Sequence, residues 1–589
     1  MKKLLGLLVA LSLGLALAAG PDTFVYQSFG DVDTLDPVQA YDTASGQVVE
    51  NVYETLFGYK GESVTEYEPR LAESYEVSAD GLTYTFKLRQ GVSFHSGNAF
   101  SCKDVEYSIQ RALVINPADS GIGYTFGPSL TGYEVNANDA LVAEDGTAGT
   151  DDQYNEYWNI IDNSVVCVDD NTVQFNLVSA NPAFFAQMLF MGASIVDSQW
   201  AVANGMWDGT AATWRDVVGV DLREYHLQSN MSGTGSYKLV TWEPGIRVVA
   251  EANPNYWGGA LAIQNVVLQQ VEDEAARIQA IKAGDADEII LGSRSSLPQV
   301  EGQAGVAVYD AFKDASLGWA SSAVNAIQMS QAITMEDNVN VGSGKLDGLG
   351  IPADFFSDVH VRKCFNYAFD RDAYIQDVLL GAGSTITMAL PKSYLGYDAS
   401  VPEYVLDLEK AEEECKQAWG GELWEKGMYL TITYNTGNTS RQTVAEILAD
   451  NLEFINPKFT VETRGVQWST FLDERGNKKL PVSIIGWVPD FADPDNFIHI
   501  FYASTGYYAG QNGYVNTAID ELDAQARVNS DAAARADLYS QIGKLAYEDA
   551  PYVLLPQGVP YLVMSEAVQG MYNNPNLSAG YLWKDISKQ

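Results

Sequence analysis

Two hydrophobic periods alternate along this chain, over a length that one core cannot hold. Residues 23–29 (TFVYQSF), rich in aromatic and β-branched side chains, read as a strand. Over 45–57 (SGQVVENVYETLF), Val48, Val49, Val52, Tyr53, Leu56 and Phe57 recur at helical spacing. Residues 73–89 hold two alternating runs split by Ala79-Asp80-Gly81, a hairpin signal with Asp-Gly at its turn. Ser101 is placed to cap a helix through Arg111, and a helix over 273–283 ends at Gly284. Strand character returns at 165–177, 236–251 and 263–271. In the second half, helices over 358–380, 407–419, 441–454, 517–528 and 532–548 interleave with strands at 428–434, 482–487 and 552–562. Elements ordered in this way pack as α/β layers. At 589 residues the expectation is two or three domains, because a single core stops growing well before that length. Residues 116–163, rich in Gly, Asp and Asn, lack either period and read as a long surface insertion.

The chain opens with Lys2 and Lys3, an apolar run over 4–17, and Ala16-Leu17-Ala18, the pattern of an export signal cleaved near Ala18 or Ala19. The run is short of the roughly 20 residues a spanning helix needs, and no Cys follows to accept a lipid. The mature protein is therefore expected to be soluble and periplasmic or otherwise extracytoplasmic. A net charge of −42 repels phosphate backbones and anionic headgroups, so no nucleic-acid partner is expected. Four cysteines, Cys102, Cys167, Cys364 and Cys415, permit two disulfides in any of three connectivities, and none forms a CxxC. The four histidines are dispersed, and no Gly-x-Ser-x-Gly, His-Glu-x-x-His or phosphate-loop pattern occurs, which disfavours a secreted hydrolase.

Leu35-Asp36-Pro37, Tyr53-Glu54-Thr55-Leu56 and residues 69–105 (PRLAESYEVSADGLTYTFKLRQGVSFHSGNAFSCKDV) resemble the N-terminal signature of the peptide, oligopeptide and nickel solute-binding family of ABC importers. Further matches follow in that family's order: Gly233 to Leu239, Asn253 to Gly258, the helix exit from Arg277 to Asp287, Asp358 to Arg362, and Gly486 to Pro494. The resemblance implies an α/β, two-lobed periplasmic-binding-protein fold of type II with an extra subdomain in the first lobe. Two crossing strands, expected near 306–312 and 551–556, would join the lobes around a ligand cleft. It divides the chain into a signal peptide (1–19), lobe I (20–310, with a subdomain over about 54–185), lobe II (311–551) and a return to lobe I (552–589). Within those lobes the cysteines pair as Cys102 with Cys167 and Cys364 with Cys415. The insertion at 116–163 and the loop at 331–352 depart from the family pattern.

The resemblance also implies a site. Asp490, four positions after the Gly of Gly486-Trp487, falls where peptide-binding relatives hold the ligand's α-ammonium group, and a carboxylate in a closed, dry cleft suits that group. The bland alternative is that Asp490 and Asp493 only begin a loop or cap the helix at Asn496; a calcium loop lacks the required spacing and terminal Glu. Trp487 and Gly486 would offer an aromatic wall and a main-chain group, and Tyr41, Asp42 and Thr43 would face them from the first lobe. Tyr237 and Tyr256 read as structural. No partner for a ligand carboxylate is legible, since Ile484 stands where some relatives carry Arg. The implied ligand is a di- or oligopeptide passed to a membrane permease by a monomer with no metal or cofactor. Oligosaccharide and nickel-complex binding are the alternatives on the same fold.

Overall fold

The strand Thr23–Ser28 points Phe24 and Val25 in opposite directions, and both are essentially fully buried. Phe24 enters a cluster with Tyr237 and Trp583, whereas Val25 enters one with Ile278 and Ile281. A sheet buried on both faces in this way needs layers above and below it. In the computed structural model, which describes residues 20–117, 120–143 and 145–589, this strand is central to a seven-stranded mixed sheet. It runs parallel to Asn265–Gln270 and to Glu288–Ile289. The export segment expected over 1–19 lies outside the described residues. Among the described residues no helix is long and apolar enough to cross a membrane.

The second lobe is built on a five-stranded sheet ordered Phe459–Val466, Met428–Asn435, Val482–Trp487, Val324–Met329, Tyr552–Leu554. Period-2 alternation again divides the side chains. Ile484 packs in one core, and Ile485 and Trp487 pack in the other. The chain passes between the lobes twice. Val306–Asp310 is still paired with Tyr561–Ser565 in the first sheet, and Tyr552–Leu554 is still paired with Val324–Met329 in the second. The crossings are therefore residues 311–323 and 555–560, each overlapping the stretch that the resemblance implies, 306–312 and 551–556, but beginning a few residues later because the earlier residues still pair in a sheet.

A four-stranded antiparallel sheet, Ala72–Val77, Thr83–Leu88, Thr172–Asn176 and Val165–Asp169, forms the extra unit of the first lobe. Its hairpin turns at Asp80-Gly81 as expected, with Gly81 at φ +73°. Cys102–Ile115 packs on it, capped by the reciprocal Ser101 and Asp104 pair. The disulfide Cys102–Cys167 ties that helix to the edge strand, and Cys364–Cys415 closes a second loop in the other lobe, the pairing expected from the lobes. The insertion is not a bare loop. It contains the helix Asp151–Ser164, which buries Tyr154, Tyr157, Trp158 and Ile161 in the subdomain core. Acidic and amide residues on the outer face hid that stripe from the periodicity.

Most of the motifs that carry the resemblance are internal fasteners. Glu54 accepts from the Thr234 hydroxyl (2.8 Å), the Tyr256 hydroxyl (3.1 Å) and Trp257 Nε1 (2.8 Å), so three distant motifs meet on one carboxylate. Gly235 passes so close to the end of helix Thr43–Val52 that a Cβ would fall 2.6 Å from the Asn51 and Val52 carbonyl oxygens. Arg277 and Arg362 spend their guanidinium donors on main-chain carbonyls, such as Ile290 (2.7 Å) and Phe356 (2.6 Å). Arg111 and Asp36, each at most 1% exposed, form a two-pronged ion pair at 2.5 and 2.9 Å that anchors the loop carrying Tyr41.

Candidate functional site: the cleft between the lobes

The strands Met428–Asn435 and Val482–Trp487 are parallel neighbours, so their C-terminal ends open on the same edge of the second sheet. Ligands of open α/β sheets bind at such edges. Past Trp487 the chain turns into the helix Asp495–Tyr502, and Asn496 in its first turn organises the turn. Its Oδ1 accepts from the Asp490 N–H (2.8 Å) and from Trp487 Nε1 (3.1 Å), and its Nδ2 donates to Asp490 Oδ2 (2.8 Å). From the other lobe the Tyr41 hydroxyl donates to the same Oδ2 at 2.9 Å. Among the described residues Asp490 forms no ion pair, and no hydrogen bond reaches its Oδ1. Burial pushes its carboxyl up to about 7, against the pull of the Asn496 and Tyr41 hydrogen bonds. A charge in this position lacks a counter-charge.

A cavity of about 200 Å³ lies against this carboxylate, and all six residues anticipated from the sequence, Tyr41, Asp42, Thr43, Gly486, Trp487 and Asp490, line it. They differ in availability. The Tyr41 ring meets Trp487 and Tyr507 edge to face at 5.5 and 5.1 Å. The Asp42 carboxylate caps helix Thr43–Val52 through the N–H groups of Ala44 (3.0 Å) and Ser45 (3.1 Å), and it accepts from Trp468 Nε1 across the cleft (3.2 Å). Of the main-chain groups of Gly486, the carbonyl accepts from the Tyr508 hydroxyl at 2.7 Å. Tyr237 donates to the carbonyls of Ile263 and Trp583 in the core and, like Tyr256, stays out of the cavity, as does Ile484.

A second cavity, of about 370 Å³, adjoins the first and shares Thr43, Arg441, Trp468, Val488 and Ser578 with it. With Trp468 and Glu50, Arg441 is one of the lining residues that sequence reasoning missed. It stands in the first turn of helix Thr439–Ile455, just beyond the strand end at Asn435, and borders both cavities. Its Nη1 donates to Asn435 Oδ1 (2.8 Å), and among the described residues no carboxylate pairs with it. Burial lowers its pKa to about 10. Nothing in the residues flanking Arg441 marks it, and it reaches this opening only because the strand before it, Met428–Asn435, pairs in parallel with Val482–Trp487. Arg475, also on the cavity wall, is committed to Gln328 Oε1 and to the ring of Tyr508, 4.4 Å away.

The insertion reaches the cleft as well. Tyr124 stacks on Tyr41 with centroids 6.2 Å apart and rings 15° from parallel, and it meets Tyr507 at 5.2 Å. Glu134 crosses to the second lobe and pairs with Arg527, which also approaches Asp495 at 3.3 Å. Beside them His499 Nδ1 lies 2.8 Å from Asp523. Asp495, His499 and Asp523 are spaced closely enough to hold a metal ion, but the Arg527 guanidinium already supplies a cation to that cluster. Burial opposes ionisation of Glu134, yet the charges of His499 and Arg527 hold its carboxyl down to about 2.

The model of the bacterial extracellular solute-binding proteins, family 5 (middle region), matches residues 66–509. Heme-binding protein A of Haemophilus influenzae is 25% identical over 91% of this chain and 86% of its own. The dipeptide-binding protein of Escherichia coli is 25% identical over 96% of this chain and 95% of its own. The fold is shared with an ABC-transporter-associated periplasmic binding protein of Helicobacter pylori in complex with the peptide STSA. That match has a TM-score of 0.74 at 23% identity and covers 96% of this chain and 98% of the other.

Proposed function

The chain belongs to family 5 of the bacterial extracellular solute-binding proteins, and from that premise we propose that it captures peptides in the cleft between its lobes and delivers them to an ABC-importer permease. The observation that carries the reading is Asp490, a buried carboxylate that, among the described residues, has one oxygen free of hydrogen bonds and no counter-charge. A ligand's α-ammonium group supplies that charge, and Arg441, equally unpaired, receives the ligand's carboxylate. A zwitterion with charges at its two ends satisfies both groups at once. Names of relatives such as the E. coli dipeptide-binding protein point the same way. An oligosaccharide would find aromatic faces in Trp468 and Trp487 but would leave both charges unpaired in a dry site. Among the described residues, the one cluster spaced to hold a nickel ion is the one that Arg527 already occupies.

The protein acts outside the cytoplasm as a monomer after cleavage of its export signal, and it is a binding protein rather than an enzyme. Closure joins the lobes through contacts such as Tyr41 with Asp490 and Trp468 with Asp42. Two measurements test the reading: native mass spectrometry of protein purified without denaturation, and calorimetric titration with Ala-Ala. A retained peptide ladder and saturable Ala-Ala binding are expected. A hexose adduct with no response to any peptide would refute it.

A further inference from the structure

Helix Thr43–Val52 presents a second acid to the same cavity. Glu50 lies two turns along from Thr43 on the same face, so both residues line the first cavity. Its carboxylate accepts from the Ser578 N–H (3.0 Å to Oε2) and from the Ser578 hydroxyl (3.0 Å to Oε1). Among the described residues it forms no ion pair. Burial drives its carboxyl up to about 7, against the pull of the Ser578 hydrogen bonds and the more distant Arg70 charge. Gly46, one turn before Glu50, is what admits Ser578, because a Cβ at Gly46 would fall 2.2 Å from the Ser578 hydroxyl.

The surroundings narrow what Glu50 can meet. Asn576, also on the cavity wall and beside the Tyr59 hydroxyl, buries both polar atoms of its amide without a hydrogen bond of good geometry. Phe190 and Met191 supply an apolar wall. A carboxylate, an amide oxygen short of a donor and an apolar flank together suit a group with a methylene stem and several N–H donors at its tip. An anionic group would face Glu50 directly. A purely apolar one would leave the buried Glu50 carboxylate without a counter-charge and the Asn576 amide without a partner of good geometry, which sites built for hydrogen bonding discriminate against strongly.

We infer that the end of the cavity bounded by Glu50, Asn576 and Ser578 is a subsite for a cationic side chain, so that the protein selects peptides carrying lysine or arginine. This rests on the peptide reading above and adds to it a substrate class: basic peptides with their amino end at Asp490 and a side-chain cation at Glu50. The overall charge of −42 attracts any cation weakly and at long range, whereas the subsite acts at contact and depends on one residue.

The test is calorimetric titration at about 0.15 M salt of Ala-Ala, Lys-Ala, Ala-Lys and the matching norleucine peptides, which lack only the ammonium group. Wild type and Glu50→Gln are compared. At least one lysine peptide should bind wild type tenfold or more tighter than its norleucine counterpart, as expected for a charge-assisted contact to a buried carboxylate. That ratio should fall to within about threefold of unity in Glu50→Gln. Binding of Ala-Ala with no lysine preference in wild type would overturn the subsite and leave the peptide reading standing. A preference that persists undiminished in Glu50→Gln would also overturn it and assign the effect to the general field. Failure of every peptide, Ala-Ala included, would overturn the peptide reading and the subsite with it. The wild-type comparison stands even if the variant folds poorly.

Discussion

Replacing Asp490 by Asn separates two consequences of one buried charge. Asn keeps a carbonyl oxygen to accept from the Tyr41 hydroxyl and Asn496 Nδ2, so the polar contacts at 2.9 and 2.8 Å can persist while the charge is removed. In the ligand-free protein the shift of the carboxyl from 3.8 to about 7 corresponds to an upper bound of roughly 4 kcal/mol against the ionised form. On the order of half is realised by a carboxylate that still faces a cavity. The sign follows from the direction of the shift. A carboxyl raised on folding destabilises the native state progressively as pH rises from 3.8 to about 7, and fully above that. Asp490→Asn should therefore melt with wild type near pH 4 and a few degrees above it at pH 8. Peptide binding should move the other way. At pH 8 the variant should bind Ala-Ala a hundredfold or more weaker, since an ammonium group loses a buried partner worth about 3 to 5 kcal/mol. In wild type the affinity should fall about tenfold per pH unit below about 7, as the carboxylate takes up a proton. Scanning calorimetry and titration with Ala-Ala and N-acetyl-Ala-Ala check these points. If acetylation weakens both proteins equally, Asp490 does not read the amino end; if the melting temperatures never diverge, its charge is not destabilised.

Arg441→Gln should weaken Ala-Ala about a hundredfold but leave the amide of its carboxyl end nearly unaffected, and equal losses for both ligands would contradict its role. Arg111→Met should lower stability by about 3 to 5 kcal/mol in denaturant unfolding, because Asp36 would be left charged and buried; a loss under 1 kcal/mol would place the pair among neutral surface bridges. Glu134→Gln removes an interlobe ion pair, so ligand-free protein should show a larger radius of gyration by small-angle scattering and bind peptide about tenfold weaker. An unchanged radius would show that the insertion does not hold the lobes. Replacing Cys102 and Cys167 together by Ala should cost about 2 to 4 kcal/mol, given the 65 residues the bridge spans; an unchanged urea midpoint would argue against it.

What could be read from the sequence, and what could not, divides along the distinction between local and assembled chemistry. Strands and helices announced themselves through period, and the hairpin at Asp80-Gly81 and the cap at Ser101 through their turn and capping residues, because those signals depend only on neighbours in the chain. The helix Asp151–Ser164 escaped because its buried stripe of Tyr154, Tyr157, Trp158 and Ile161 is outnumbered by polar residues that face solvent. Within the site, Asp490 and Trp487 sit in a contiguous motif and were legible through it. Arg441, Trp468 and Glu50 lie on three different elements, and nothing in their flanking residues marks them; only the pairing of parallel strands and the closing of the lobes brings them to one cavity. The motif residues, by contrast, mostly hold backbone, as Glu54, Arg277 and Arg362 do. The motifs therefore report the family, and the residues that choose the ligand lie largely between them. Two chains with the same motifs can thus differ in what they bind. Specificity has to be sought in cavity-facing side chains such as Glu50 and Arg441, whose charges the fold leaves unpaired.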